Sequence, residues 1–143
     1  MTTANTTGKA FESKCIALLQ EHRDYVNTKA RINWSDKRYY RPDAVTDSEL
    51  FEFKYQQVSG SAVNKLTQAV LELQWMFNRT NQQPILVYEG DILDHFIRYD
   101  PAFQLALVAV PNVKLLHFNE FYDYISSSVN ITNREQDRLL EHA

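Results

Sequence analysis

Arg41-Pro42-Asp43-Ala44-Val45-Thr46-Asp47-Ser48-Glu49-Leu50-Phe51-Glu52-Phe53-Lys54-Tyr55-Gln56-Gln57 is the stretch in which local structure and reactive side chains coincide. A β-strand projects alternate residues to opposite faces, so Phe51, Phe53 and Tyr55 share one face while Glu52 and Lys54 share the other. Thr46-Asp47-Ser48-Glu49 supplies turn chemistry, and residues 41–45 and 50–56 are expected to pair across it. Asp43 then lies near Glu52, and two carboxylates converge beside one ammonium. Converging oxygen ligands suit Mg²⁺ or Mn²⁺, which usually keeps several waters of its own. Water activated by such a cation beside Lys54 is a fitting nucleophile for a phosphodiester, because the cation also neutralises charge developing on the phosphoryl oxygens. The same strand, taken alone, is also what a half-exposed edge strand looks like, with Glu52 and Lys54 facing water.

Outward from this stretch, periodicity divides the rest of the chain. Upstream, Phe11, Cys15, Leu18, Leu19 and His22 recur at helical spacing and predict an amphipathic first helix over residues 8–23. Ala30, Ile32 and Trp34 alternate with Lys29, Arg31 and Asn33, which predicts a strand over 28–34 and a three-stranded meander with the two strands above. Downstream, Val63, Leu66, Val70, Leu73 and Phe77 predict a long helix to about residue 79, broken by Asn81-Gln82-Gln83-Pro84. A short buried strand follows at 85–88 and a helix at 92–99, while 101–109 fits helix or strand. A last strand is expected at 113–118, then a helix capped by Asn119, then a polar tail from residue 130 that could form a further helix. There is no internal repeat. The implied class is α/β, with the order helix, three strands, helix, strand in its first two thirds.

A chain of 143 residues is sufficient for one domain with a core that needs no disulfide. No apolar run approaches the length of a membrane span, and residues 1–7 lack the charged-then-apolar layout of a secretion signal. The lone Cys15 excludes an internal disulfide and a multi-cysteine zinc site, fits a reducing compartment, and leads to the expectation of a cytoplasmic protein. It lies on the apolar stripe of the first helix, as an inert core thiol would. His22, His95, His117 and His142 show no metal-ligand spacing, and there is no glycine-rich phosphate loop.

Net charge is -3, yet it is unevenly spread. Residues 23–41 carry Arg23, Lys29, Arg31, Lys37, Arg38 and Arg41 against Asp24 and Asp36. Trp34, Tyr39 and Tyr40 interleave with these cations, a mixture able to stack on bases and hold phosphates; it is also a mixture found in ordinary solvated loops.

Pro42-Asp43, a gap of eight residues and Glu52-Phe53-Lys54 resemble the signature of the PD-(D/E)xK nuclease superfamily, with its restriction-endonuclease-like fold. The resemblance extends to Gly8-Lys9-Ala10-Phe11-Glu12, similar to the helix bearing an additional acid in archaeal Holliday-junction resolvases. It extends also to residues 64–77 with Pro84-Ile85-Leu86-Val87-Tyr88, which look like the family's core helix and fourth strand. It covers about residues 8–90. It implies an αβββαβ core with a central mixed sheet flanked by helices. Asp43, Glu52 and the backbone carbonyl of Phe53 would hold Mg²⁺, with Mn²⁺ a possible substitute, and Lys54 would orient or help deprotonate water. Glu12 would be a further acid at the site; on the residues alone it is equally a first-turn acid favoured by the helix dipole.

The activity implied is metal-dependent hydrolysis of DNA, of the restriction, homing or junction-resolving kind. Arg31, Trp34, Lys37, Arg38, Tyr40 and Arg41 would grip the nucleic acid, with Gln56 and Gln57, and less strongly Gln68, as further candidates. One such domain holds one site, so cutting both strands implies a homodimer or homotetramer, with residues 91–143 as a source of interface or DNA specificity. Alternatives are a nuclease toxin domain, a non-catalytic nucleic-acid-binding or assembly module on the same fold, or a coincidental motif in an unrelated α/β protein.

Overall fold

The computed structural model describes residues 4–57 and 62–127, in all but a few side chains near residues 4–7 and 62–64. The tail beyond residue 127, with His142 and the expected further helix, lies outside the described residues, as do residues 58–61 before the long helix.

The chain is α/β. Helix α1 (Ala4–His22) is followed by β1 (Ile32–Asn33), β2 (Tyr39–Tyr40), β3 (Ala44–Val45) and β4 (Glu49–Tyr55). Helix α2 (Ala62–Thr80) leads to β5 (Gln83–Glu89), α3 (Asp91–Tyr99), α4 (Pro101–Val108), β6 (Lys114–His117) and α5 (Phe118–Ser127). The main sheet has the order β3-β4-β5-β6: β3 and β4 are antiparallel, and β4, β5 and β6 are parallel.

Strand alternation sorts the core into two layers. Phe51, Phe53, Ile85 and Val87 face α1 and α5, meeting Phe11, Cys15, Leu19, Phe121 and Ile125. Leu50, Leu86 and Tyr88 face the other way, against Leu66, Val70 and Leu73 of α2, Leu93 and Ile97 of α3, and Phe103 of α4. The central strands are buried on both faces, as parallel strands between helices must be. Burial pushes the Cys15 thiol up to about 12, which leaves it an unreactive core group.

Several boundaries differ from expectation for identifiable reasons. The meander does not form: the strand expected at 28–34 contracts to Ile32–Asn33, which pairs with Tyr39–Tyr40 in a small separate sheet. Its Lys29, Arg31, Asn33 and Trp34 are exposed, so it lacks a second apolar face with which to enter the main sheet. Only Asn27 reaches that sheet, through two hydrogen bonds with Val45 of 2.8 and 2.9 Å. The ambiguous stretch at 101–109 is helical, because Asp100 accepts the N–H of Phe103 at 2.9 Å and Pro101 occupies the first turn. Asn119 is not the cap of α5: the helix starts at Phe118, and Glu120 takes the N–H of His117 at 2.8 Å instead. Asn81, at φ 60°, ends α2 in the left-handed conformation that asparagine tolerates.

Arg23 does not belong to an open basic strip. Its Nε and Nη2 both donate to Glu49 at 2.9 Å, and the two side chains are 6% and 3% exposed. Thr46 and Tyr124 donate to the same carboxylate at 2.7 and 2.5 Å, so one buried acid ties together the end of α1, the hairpin turn and α5. Burial alone would raise the proton affinity of Glu49, but the hydrogen bonds from Arg23, Tyr124 and Thr46 outweigh it and hold the carboxyl below its ordinary value. Its contribution to stability is therefore complete above the ordinary glutamate range and is lost as pH falls through the depressed value.

Glu49→Gln leaves Arg23 buried without its counter-ion and is expected to cost about 3–5 kcal/mol in urea denaturation at neutral pH. A loss below about 1 kcal/mol would show that the pair behaves as a surface bridge.

Candidate active site

Asp43 owes its position to a fault in the hairpin ladder. Its N–H donates to the Phe51 carbonyl at 2.9 Å, although Ala44 is the residue facing Phe51, so two residues oppose one as in a β-bulge. Pro42, buried just before it, has no N–H with which to continue the ladder. The N–H of Phe53, next along that edge of β4, is taken by the Asp43 side chain, whose Oδ2 accepts it at 2.8 Å. Strand geometry turns the Phe53 carbonyl to this same edge.

Glu52 and Lys54 lie on the α2 side of β4, and Lys54 Nζ stands 3.6 Å from Glu52 Oε2. Their side chains are 15% and 25% exposed, so this is a largely covered pair open to solvent at its head groups. The carboxyl of Asp43 is pushed above the usual carboxylate range by burial, against the Phe53 N–H, which favours its ionised form. Glu12 raises it further, while Lys54 and a hydrogen bond with Glu52 pull it down. Glu52 is pushed up more strongly, by burial and then by the charge of Asp43, with Lys54 opposing and Glu72 adding to the rise. Burial above all, and then the neighbouring acids, thus raises the proton affinity of both carboxyls against the opposing ammonium.

Asp43, Glu52 and Lys54 are brought together, and Glu12 on α1 is near enough for its charge to act on Asp43. Glu72 went unnoticed in the sequence. Gln68 donates to it at 2.5 Å one helical turn away on α2, and the i, i+4 spacing of the two was the available signal.

Arg31, Trp34, Lys37, Arg38 and Arg41 are exposed on or beside the β1–β2 hairpin, with Tyr40 half-buried beneath. Arg79 of α2, also unforeseen, joins them, donating to the Asn33 carbonyl at 3.4 Å. The glutamines do not join them. Gln56 is buried, and its Oε1 accepts the N–H of Val63 at the start of α2, so it serves as a helix cap instead of presenting an amide to nucleic acid. Gln57 is exposed but exchanges two hydrogen bonds with Asp91, Nε2 to Oδ2 at 2.8 Å and Asp91 N–H to Oε1 at 3.3 Å. It lines a cavity of about 720 Å³ beyond the carboxyl ends of β4–β6, with Tyr55, Tyr88, Asp91, Asp94 and His117. Asp43, Glu52 and Lys54 are not among the residues lining that cavity. The acids and lysine that converge at the bulge are thus separate from this cavity.

Among the described residues no three His, Cys, Asp or Glu side chains form a ready metal cage. The donors at the bulge are two carboxylates and a backbone carbonyl, all oxygen. Burial first, and neighbouring acids after it, raises the proton affinity of the two carboxyls. This set fits Mg²⁺ or Mn²⁺ retaining several waters, and it does not fit a cation that needs a full set of protein ligands. No family model, curated protein or solved structure matches the chain.

Because the folded state holds protons more tightly at Asp43 and Glu52 than the unfolded chain does, stability from this pair falls as pH rises from the ordinary carboxylate range through the raised values. Glu52→Gln is expected to raise the metal-free Tm, more at mildly alkaline than at mildly acidic pH. Mg²⁺ is expected to raise the Tm of the natural chain at alkaline pH and to leave that of Glu52→Gln unchanged. Equal Mg²⁺ shifts in both proteins would remove Glu52 from the cation site.

Proposed function

We propose that this protein is a metal-dependent DNA endonuclease of the PD-(D/E)xK type, its main sheet and helices α1 and α2 forming a restriction-endonuclease-like core. The observation that carries the reading is the convergence of Asp43, Glu52 and Lys54 at a strand bulge, where burial raises the proton affinity of both carboxyls. The sequence order of α1, the β3–β4 hairpin, α2 and β5 supports it further.

In this reading Asp43, Glu52 and the Phe53 carbonyl hold Mg²⁺ or Mn²⁺. When bound, the cation supplies neutralisation of the phosphoryl oxygens and a lowered water pKa. Lys54, set by its ion pair with Glu52, presents an ammonium to the scissile phosphate and orients the attacking water. Asp43 keeps its geometry through the Phe53 N–H, so the ligand is positioned before substrate arrives. Glu12 adds negative charge near Asp43, strengthening its hold on a cation. The exposed cations of the β1–β2 hairpin bind backbone phosphates beside the site.

One domain carries one such cluster, and cleavage of both strands calls for a homodimer or homotetramer. Leu105 and Val108 of α4, 74% and 79% exposed, support an interface within residues 91–143.

The test is cleavage of supercoiled plasmid, linear duplex, a four-way junction and RNA with Mg²⁺ or EDTA. Asp43→Asn is the informative variant, since its amide oxygen can still accept the Phe53 N–H while its charge is gone. Asp43→Asn and Lys54→Ala are each expected to lose at least about 100-fold in metal-dependent cutting while keeping native circular dichroism. Cutting that survives both changes would overturn the assignment. Tight DNA binding with no cutting of any substrate under Mg²⁺ or Mn²⁺ would instead favour a non-catalytic nucleic-acid-binding module.

A further inference from the structure

The β1–β2 hairpin carries more than phosphate-binding charge. Residues 29–41 hold Lys29, Arg31, Lys37, Arg38 and Arg41 against the single acid Asp36, and among them stand two aromatic rings that the fold leaves open. Trp34 is 46% exposed and Tyr39 40%. Neither is a loose surface group. Trp34 leans on Tyr40, ring centroids 6.0 Å apart, and Tyr40 meets Trp75 of α2 edge-on at 5.5 Å. The Arg79 guanidinium lies over the Trp75 ring, 5.2 Å from its centre. Tyr39 is covered on one side by the Arg31 guanidinium, 4.7 Å from its ring centre. The strand register sets Tyr39 across from Asn33 and Tyr40 across from Ile32, so Tyr39 and Trp34 fall on opposite faces of the ribbon. The rings are braced from behind while part of each remains bare.

We infer that this hairpin is a stacking platform for unpaired nucleotides, Trp34 offering its ring to a base on one face of the ribbon and Tyr39 on the other, with Arg31, Lys37, Arg38 and Arg41 taking phosphates. The inference rests on the nuclease reading above and names its substrate class: DNA with a single-stranded or unpaired element beside the cleaved phosphate. Bases in a continuous duplex are covered by their neighbours on both faces, whereas an unpaired base has a face to offer an aromatic ring. A binder of plain duplex would spread many cations along the backbone. Here the net charge is -3 and the described hairpin concentrates a few cations around two rings. The platform also lies close to the chemistry. Four Cα steps separate Tyr39 from Asp43, at most about 15 Å of chain.

The test is equilibrium binding in EDTA, read by anisotropy of a labelled short duplex and of the same duplex with a central unpaired loop. The natural chain is expected to bind the looped DNA about tenfold or more tightly than the perfect duplex. Trp34→Ala is expected to lose about tenfold on the looped DNA and less than about twofold on the duplex, and Trp34→Phe to retain most of the preference, since a ring remains to stack. Equal affinity for the two DNAs, an equal loss on both with Trp34→Ala, or binding to neither overturns the inference. Cleavage does not enter this measurement. Failure here therefore leaves the nuclease reading to its own assay, and absence of cutting with the preference intact would retain the platform without the enzyme.

Discussion

The hydrogen bond from the Phe53 N–H to Asp43 Oδ2 is the constraint on which the site depends. A strand edge that loses its partner leaves backbone donors unsatisfied, and a buried donor without an acceptor is costly. Here the partner strand stops short because Pro42 has no N–H and the bulge uses two residues against Phe51. The carboxylate of Asp43 fills the place of a backbone carbonyl. In doing so it is drawn against β4, where Glu52 and Lys54 already project together toward α2. The same bond that finishes the fold assembles the acid pair, so folding and site geometry share a cause.

That arrangement opposes stability to reactivity. Burial, Glu12 and Glu72 drive protons onto Asp43 and Glu52, and one lysine only partly compensates. The Glu49 carboxylate, in the same hairpin, has the opposite environment: a bidentate arginine and two hydroxyl donors hold it ionised and buried. One acid is fully satisfied and holds elements together, while the other two are buried with only partial compensation. Strain of that kind, confined to one place in an otherwise consistent fold, is the usual mark of a functional site.

Much of this was legible in the sequence, and the limits have physical causes. Alternation in Phe51-Glu52-Phe53-Lys54-Tyr55 gave the two faces of β4, and both the layering and the Glu52–Lys54 pair follow from period two. Helices α1 and α2 were visible because their apolar spacing extends over several turns. The small sheet was not, since a two-residue strand has no period to detect and its separation depends on what it fails to bury. Arg23 looked like surface charge because its partner lies 26 positions away. Gln56 looked like a surface amide because nothing local reveals that it caps the following helix. Glu72 and Arg79 join their clusters only through tertiary packing of α2, beyond the reach of spacing within one element.

In the proposed function a divalent cation displaces the protons that burial favours at Asp43 and Glu52. A ¹³C NMR titration of the two side-chain carboxyls, without and with Mg²⁺, addresses it directly. Without the cation both are expected to titrate above the ordinary carboxylate range, Glu52 higher than Asp43, and with Mg²⁺ both titrations are expected to move well down together. Ordinary carboxylate titrations that Mg²⁺ leaves unmoved would contradict the claim.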